Sequence, residues 1–446
     1  MHKVCIEPEP LPSTHDWVSA KAMTPAADGW GRRNLVVISA ILGNYLEIVD
    51  LTLFSYLSIY IGRAFFPPQS AWNAVLMATL TFGVGFLARP VGAIVLGSYA
   101  DRQGRRRALL ASLTIMFLGT AIIAACPPFS KVGYVAPLLL VVARLLQGFS
   151  AGGEFGASTA FLLEQSPRKS RHLLIALQIA GQSAAALTGA LVTLLLLSML
   201  GTEAIAQWGW RAVFCCGLIV GPVALLIRSK SGTFEPGNRG VKVSSTTFVR
   251  QNWPLILWGI GSVMGGGAAA YVVLYHMPTY LITQFHASPL SAYAISCVSG
   301  LVALVSAPIA GLLADRVASP KKLAVGASLA TTVLVAPCFV FFTLGVSHLV
   351  SMVAMSALVV ISVAGMPAGL LLMMEAMPPQ NRVLGFSLAY GTGVGVMGGF
   401  APFIVTGLIG ISGSPLAPAA YVAACAAVSA ICLSRLPSRS VLLGRG

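Results

Sequence analysis

Charge is scarce in this sequence, and acid scarcer: of 446 residues, 9% are Asp, Glu, Lys or Arg, and only 13 are acidic. A water-soluble domain carries about a quarter charged residues. A chain that is 57% hydrophobic, with a mean hydropathy of +0.84, is therefore not one. The eight cysteines (5, 126, 215, 216, 297, 338, 425 and 432) form no CxxC pair and no metal-ligand spacing, which excludes a zinc module or a redox dithiol and leaves them as packing residues. No nucleotide loop, metal cluster or nucleophile motif stands in or beside the apolar runs, so neither an enzyme nor a cofactor is expected. The first 33 residues are polar, contain proline and lack the short charged start and small-residue cleavage site of a secretory signal. They read as a disordered cytosolic tail.

What the chain has instead is long apolar runs. About 20 such residues suffice to cross a bilayer as a helix, and windows of that kind fall near 34–62, 72–99, 108–126, 132–163, 172–200 and 208–228. After a polar interval they resume near 251–283, 288–314, 323–345, 348–374, 384–409 and 415–435. This predicts an all-α integral membrane protein with twelve transmembrane helices in two sets of six. The net charge of +15 is concentrated in "DRQGRRR" (101–107), "PRKSR" (167–171), Arg228 to Arg250, "DRVASPKK" (315–322) and Arg435 to Arg445. All five segments share one side of the membrane if the spans alternate. By the positive-inside rule that side is the cytoplasm, and both termini lie there. Solvated, topology-setting charge of this kind calls for no nucleic-acid partner.

A repeat is concealed in the loops. "GSYADR" at 97–102 matches "GLLADR" at 311–316, and "EQSPRKSR" at 164–171 matches "EAMPPQNR" at 375–382, at offsets of 214 and 211 residues. Two matches at nearly one offset imply two six-helix halves of similar fold in parallel orientation. The expected organisation is a tail (1–33), an N-terminal bundle (34–228), a Gly/Ser/Thr-rich cytoplasmic linker (229–250), a C-terminal bundle (251–436) and a second tail (437–446). In the loops, Asp101 and Asp315 are placed to cap the following helix and to attract arginines such as Arg102, Arg105 and Arg106. Glu164 with Arg171, and Glu375 with Arg382, are expected to form interfacial ion pairs that hold only in some conformations. Together these nine residues are the candidate conformational latch.

"GSYADRQGRRR" resembles the G-x-x-x-D-R-x-G-R-[RK] loop motif of the major facilitator superfamily. "RLLQGFSAGGEFG" (144–156), "GNYLEIVD" (43–50), "FLARPVGA" (86–93) and "WGWRAVF" (208–214) resemble its metabolite:proton symporter family, and "EAMPPQNRVLGFSLAY" (375–390) is similar to the citrate and tricarballylate members. The resemblance implies a two-bundle transporter of a bacterial cytoplasmic membrane, driven by the proton gradient without a cofactor and acting as a monomer. Two departures stand out. "DRVASPKK" lacks the Gly-Arg-Arg of the first loop, and "YHMPTY" (275–280) places His276 where similar members carry another residue.

The residues most in need of explanation are the charges inside the spans. A lone charge at mid-bilayer costs at least about 3 kcal/mol on insertion scales. At about 1.5 Å per residue, Asp50 in the first span is level with Arg144 in the fourth. Lower down, Arg89 in the second is level with Glu154. The expectation is therefore an outer tier of Asp50, Glu47 and Arg144, and an inner tier of Arg89 and Glu154. A carboxylate facing Arg stays ionised, whereas one without its partner in a desolvated cavity takes up a proton. Asp50, Glu47 and Glu154 are thus proton-coupling candidates. Arg144 and Arg89 are candidates for an anionic substrate, with Gln147 on the face of Arg144, Gln178 and Gln182 in the fifth span, Tyr275 and His276 (beside Tyr271 and Tyr280) in the seventh, and Tyr390 with Ser387 in the eleventh. The function expected is import of a small di- or tricarboxylate such as citrate with protons. Uptake of a betaine-like zwitterion or a citrate-based siderophore, efflux by proton exchange, and a non-transporting sensor are the competing readings, the last disfavoured because no sizeable soluble domain is present.

Overall fold

The apolar windows become helices, and the interest lies in where those helices break. The computed structural model describes residues 30–67, 71–103, 105–152, 154–164, 168–218, 245–345, 348–378 and 381–437, and no strand occurs among them. In chain order the first span is Ile41–Tyr56 continued, after a 66° bend at Leu57, by Ser58–Phe65. The second is Trp72–Gly97 and the third Leu110–Ala125. The fourth is Val135–Ala151, followed by Glu154–Glu164. The fifth and sixth lie in one run, Arg171–Leu218, divided at Gly201, whose φ of 77° is left-handed and suits a residue without a Cβ. After that turn Arg211 donates to the Cys126 carbonyl (3.1 Å), and Gly217 approaches Thr120, so the sixth span returns along the third.

The second half repeats the scheme with Thr247–Phe285, Pro289–Arg316, Pro320–Thr343, Val350–Ala376, Arg382–Ser412 and Ala417–Arg435 as spans seven to twelve. Ser288 and Ser319 cap spans eight and nine, each followed by proline in the first helical turn, where its missing N–H costs nothing. Span seven changes to π-helical winding over Ala270–His276, and span eleven over Gly395–Gly399. The twelve transmembrane helices expected from the windows are thus present as two six-helix bundles.

Two boundaries differ from the sequence expectation. Helix begins at Ser245, inside the expected linker, because the break falls at Asn252 (φ −117°, ψ 16°), just before Pro254. Helix also begins at Trp30, inside the expected tail. The remaining tail and linker residues lie outside the described structure.

The halves meet along the fifth and eighth spans and along the second and eleventh. At the end of the bundles where the fifth span begins, expected from the charge pattern to be cytoplasmic, Arg171 pairs with Glu375 at 2.9 Å. The Asp315 carboxylate accepts from the backbone N–H of His172 and of Leu173 (3.1 Å each) and meets His172 Nδ1 at 2.7 Å. This corrects the expected latch. Asp315 caps the fifth span, in the other half, while Ser319 caps the helix that follows Asp315. Glu375 reaches across to Arg171, and Arg382 donates to the Met377 carbonyl (3.3 Å). Packing of spans five and eight brings these ends of the two halves together, so charges equivalent by repeat meet across the interface between halves. The side chains of Asp101, Arg102, Arg105, Arg106 and Glu164 lie outside the described structure.

At the opposite end the bent first span is stitched to the second half. Tyr56 donates to the Leu274 carbonyl (2.7 Å), Ser55 to the Tyr275 carbonyl (3.2 Å), Ser58 meets Thr279 (3.2 Å), and Tyr293 donates to the Tyr56 carbonyl (2.5 Å). Contacts between the two halves thus occur at both ends of the described structure.

Candidate functional site

Between the two sets of bridges lies a layer of buried charge. The first span contributes Glu47 and Asp50, one helical turn apart, and each is under a tenth exposed. Asp50 Oδ2 accepts from Gln147 Nε2 (2.5 Å), and Oδ1 from the Thr120 hydroxyl (3.1 Å). Gln147 Nε2 also touches Thr120 Oγ1 (3.0 Å), and its Oε1 accepts from Arg144 Nη1 (2.8 Å). Asp50 and Arg144 are therefore joined as the depth argument required, with the Gln147 amide standing between them.

Arg144 is 1% exposed, and its Nε and Nη2 have no hydrogen-bond partner among the described residues. Its guanidinium lies 4.3 Å from the Phe54 ring centroid and 5.1 Å from that of Phe82. Such cation–π contacts offset part of the burial cost but satisfy no donor. A buried guanidinium with open donors is a ready partner for a carboxylate.

Arg89 pairs with Glu47 at 3.5 Å and lies over the Phe86 ring at 4.3 Å. This revises the expected tiers, since Glu47 belongs to the lower one. Three residues, about 4.5 Å of helix rise, separate it from Asp50, and that drop brings it to the depth of Arg89. The Glu154 side chain lies outside the described structure.

Aromatic rings close the layer from the second half. Tyr271 stands edge-on to Phe86 (5.4 Å) and to Tyr275 (4.9 Å), and is within electrostatic range of both arginines. Tyr390 stacks on Phe155 of the fourth span at 3.9 Å and bonds Gln182. A small cavity is bounded by Gln182 and Ser183 on one side and by Tyr275, Ser362 and Met366 on the other. A second, in the C-terminal bundle, shares Gly266, Ser362 and Met366 with it and is rimmed by Ser262, Thr331 and Tyr390.

Not all predicted ligands face this space. Gln178 is used at both ends, accepting from Thr159 and donating to Ser158 (2.8 Å each), so it braces the fourth span against the fifth. His276 borders neither cavity. It is 2% exposed, with Nε2 3.3 Å from Thr406. Sequence reasoning missed Thr120, Phe54, Phe82 and Phe86. Phe82 and Phe86 recur at i, i+4 with Arg89 three residues on, which is a legible face. Thr120, one of three hydroxyl residues in the apolar third span with Ser112 and Thr114, gave no such signal.

The family description "Major Facilitator Superfamily" matches residues 51–402. The citrate-proton symporter of Salmonella typhi is 32% identical over 89% of this chain and 92% of its own length. That of Klebsiella pneumoniae is 31% identical over 92% and 93%, and the proline/betaine transporter of Escherichia coli K12 is 29% identical over 90% and 83%. Among solved structures, the xylose transporter XylE from E. coli in a partially occluded inward open conformation superimposes with a TM-score of 0.75 at 15% identity, covering 92% of this chain and 99% of that one. Another, a D-xylose-proton symporter, gives 0.72 at 17% identity over 91% and 98%. Repeated six-helix bundles, buried charge at their interface and these similarities lead to one conclusion: the chain belongs to the Major Facilitator Superfamily.

Proposed function

We propose that the protein imports a small organic acid, of the di- or tricarboxylate class that includes citrate, together with protons by alternating access. The observation that carries this reading is Arg144, a fully buried guanidinium whose Nε and Nη2 await an acceptor while Nη1 is tied through Gln147 to Asp50. The similarity to two citrate-proton symporters above 30% identity supports the same class. In this reading a proton from outside neutralises Asp50, Arg144 binds the substrate carboxylate, and the halves rock from outward-open to inward-open. The proton and substrate then leave to the cytoplasm, the side of both termini and of the 229–250 linker. Each proton that enters moves one positive charge down the membrane potential, worth about 2.3 kcal/mol per 100 mV, and offsets one negative charge of the substrate.

A second reading has an observation of its own. Tyr271, Tyr275, Tyr390, Phe86 and Phe155 gather beside the charged layer, and aromatic faces suit a quaternary ammonium. A betaine would use them, in keeping with the similarity to proline/betaine transporters. A thermal-shift panel of organic acids and betaines on purified protein, repeated with Arg144→Ala, separates the two. Stabilisation by citrate that disappears in the variant supports the carboxylate reading. Stabilisation by a betaine alone, unchanged in the variant, overturns it.

A further inference from the structure

We propose that Gln147 is the link through which the protonation state of Asp50 controls Arg144, and that it acts by turning its amide rather than by touching substrate. The proposal rests on the proton-coupled anion reading above and supplies its missing step.

The chemistry of the three side chains dictates which way the amide points. Arg144 has only donors, so the atom it meets must be the Gln147 carbonyl oxygen. Ionised Asp50 has only acceptors, so the atom it meets must be the Gln147 amino group. The observed contacts, Arg144 Nη1 to Oε1 at 2.8 Å and Nε2 to Asp50 Oδ2 at 2.5 Å, are the one arrangement that satisfies both ends. Thr120 donates to Asp50 Oδ1 and touches Nε2, and its hydroxyl serves as donor or acceptor, so it supports the amide in either orientation.

Add a proton from the outer water to Asp50 Oδ2 and the logic inverts. That oxygen is now a donor and requires the carbonyl of Gln147. Once the amide turns over, its amino group faces the guanidinium, donor against donor. Arg144 loses its last hydrogen bond to the protein, and all three of its nitrogens are open to a carboxylate. When the proton leaves, the amide turns back, recaptures Nη1 and weakens the grip on substrate. A direct Asp50–Arg144 ion pair would free the arginine more abruptly but would hold it more tightly at rest. The interposed neutral amide makes release a rotation within a pocket already built.

Among the described residues, the ionisable groups that face this unit are Asp50 and Glu47 from the first span, Arg89 from the second, Arg144 itself from the fourth, Tyr271 from the seventh and, beside Tyr271, Tyr390 from the eleventh. Glu47 and Arg89 are paired with each other. Asp50 is thus the carboxylate whose charge Gln147 reads.

Two variants and two readouts test the proposal on the full-length protein in proteoliposomes. Gln147→Leu keeps the volume and removes the link. Gln147→Glu replaces the switchable amide with a carboxylate that holds Arg144 at neutral pH. With citrate as probe, the wild type should lose affinity by up to about tenfold per pH unit as outer pH rises, as expected for one linked proton. Gln147→Leu should bind citrate with no pH slope, and Gln147→Glu should bind only in acid. A residue that served folding alone would shift both variants in the same direction. In the second readout, phenylglyoxal labelling of Arg144 at one fixed pH, the wild type should be protected while Asp50→Asn and Gln147→Leu are labelled. Gln147→Leu with the wild-type pH slope overturns the proposal, as does loss of citrate at every pH, which would make Gln147 a substrate ligand. Should citrate bind no form of the protein, the substrate reading fails, and the labelling decides this one alone: wild-type protection in Gln147→Leu sinks it.

Discussion

Arg171 and Glu375 stand 204 residues apart in the chain and 2.9 Å apart in space, joining the two halves where the fifth span begins and the tenth ends. Both are about a quarter exposed, and ion pairs in that setting contribute about 0–1 kcal/mol to stability. Their importance is expected to lie in conformation, because a pair that bridges the two halves favours the arrangement in which they meet at this end. Glu375→Gln should leave the melting temperature nearly unchanged and raise the share of inward-open molecules. Distance measurements between spin labels on the cytoplasmic ends of spans five and ten check this, and an unchanged distribution refutes it.

Asp315 should matter more for both quantities. It caps the fifth span through two backbone N–H groups and adds the His172 contact. Loss of a capping carboxylate costs about 1 kcal/mol, up to about 2. Asp315→Ala is therefore expected to lower thermal stability measurably and to open the cytoplasmic side further than Glu375→Gln does. The same spin-label pair and a melting curve read both effects.

For coupling, Asp50→Asn should still exchange labelled for unlabelled citrate across the membrane but fail to accumulate it under a pH gradient. In the wild type, uptake should fall as external pH rises, because the proton must be on Asp50 for Arg144 to be free. Arg144→Ala removes charge-assisted hydrogen bonds worth about 1.5–3 kcal/mol each, so citrate affinity should drop by at least about tenfold. Uptake and binding assays in proteoliposomes check all three expectations.

Glu47 and Arg89 form a buried pair, at 3.5 Å with each side chain under a tenth exposed. Removing one member of such a pair typically costs about 3–5 kcal/mol, whereas replacing both with apolar residues is often neutral. Glu47→Gln should accordingly destabilise the protein more than the double change Glu47→Leu with Arg89→Met does. Transport by the double variant then reports whether the pair is needed for function beyond folding.

The second and fourth spans pack backbone to backbone at Gly148, where an added Cβ would run into the Gly85 carbonyl. Small residues are what allow helices to approach so closely in a membrane. Overpacking costs about 1–3 kcal/mol and occasionally more, and the Arg144–Gln147 segment is carried on this contact. Gly148→Ala should reduce both folded yield and citrate affinity, whereas Gly326→Ala, where a Cβ meets nothing, should change neither.

Hydropathy and the loop repeat were sufficient for the twelve spans and the two halves, because a bilayer tolerates little besides long apolar helices and each such helix announces itself locally. Depth counting along those helices also paired Asp50 with Arg144. It erred by one turn for Glu47, since two carboxylates at i, i+3 differ by about 4.5 Å in height, and only the packing of the first span against the second decides which arginine each one meets. The latch shows the same limit. A repeat reveals which charges are equivalent and is silent on whether they pair within a half or across the interface.

Composition and periodicity alone determined that this chain lives in a membrane, that it is built twice over and that its few interior charges are the residues to explain. Those properties depend on transfer of single helices between water and lipid, which is additive along the chain. Tertiary structure decided the rest: Gln147 between Asp50 and Arg144, Glu47 on Arg89, Asp315 on the opposite half, Gln178 as a brace. Each depends on which helix faces align when the bundles pack, and hydrogen bonds of about 3 Å are settled by that alignment, at a precision that no residue spacing carries.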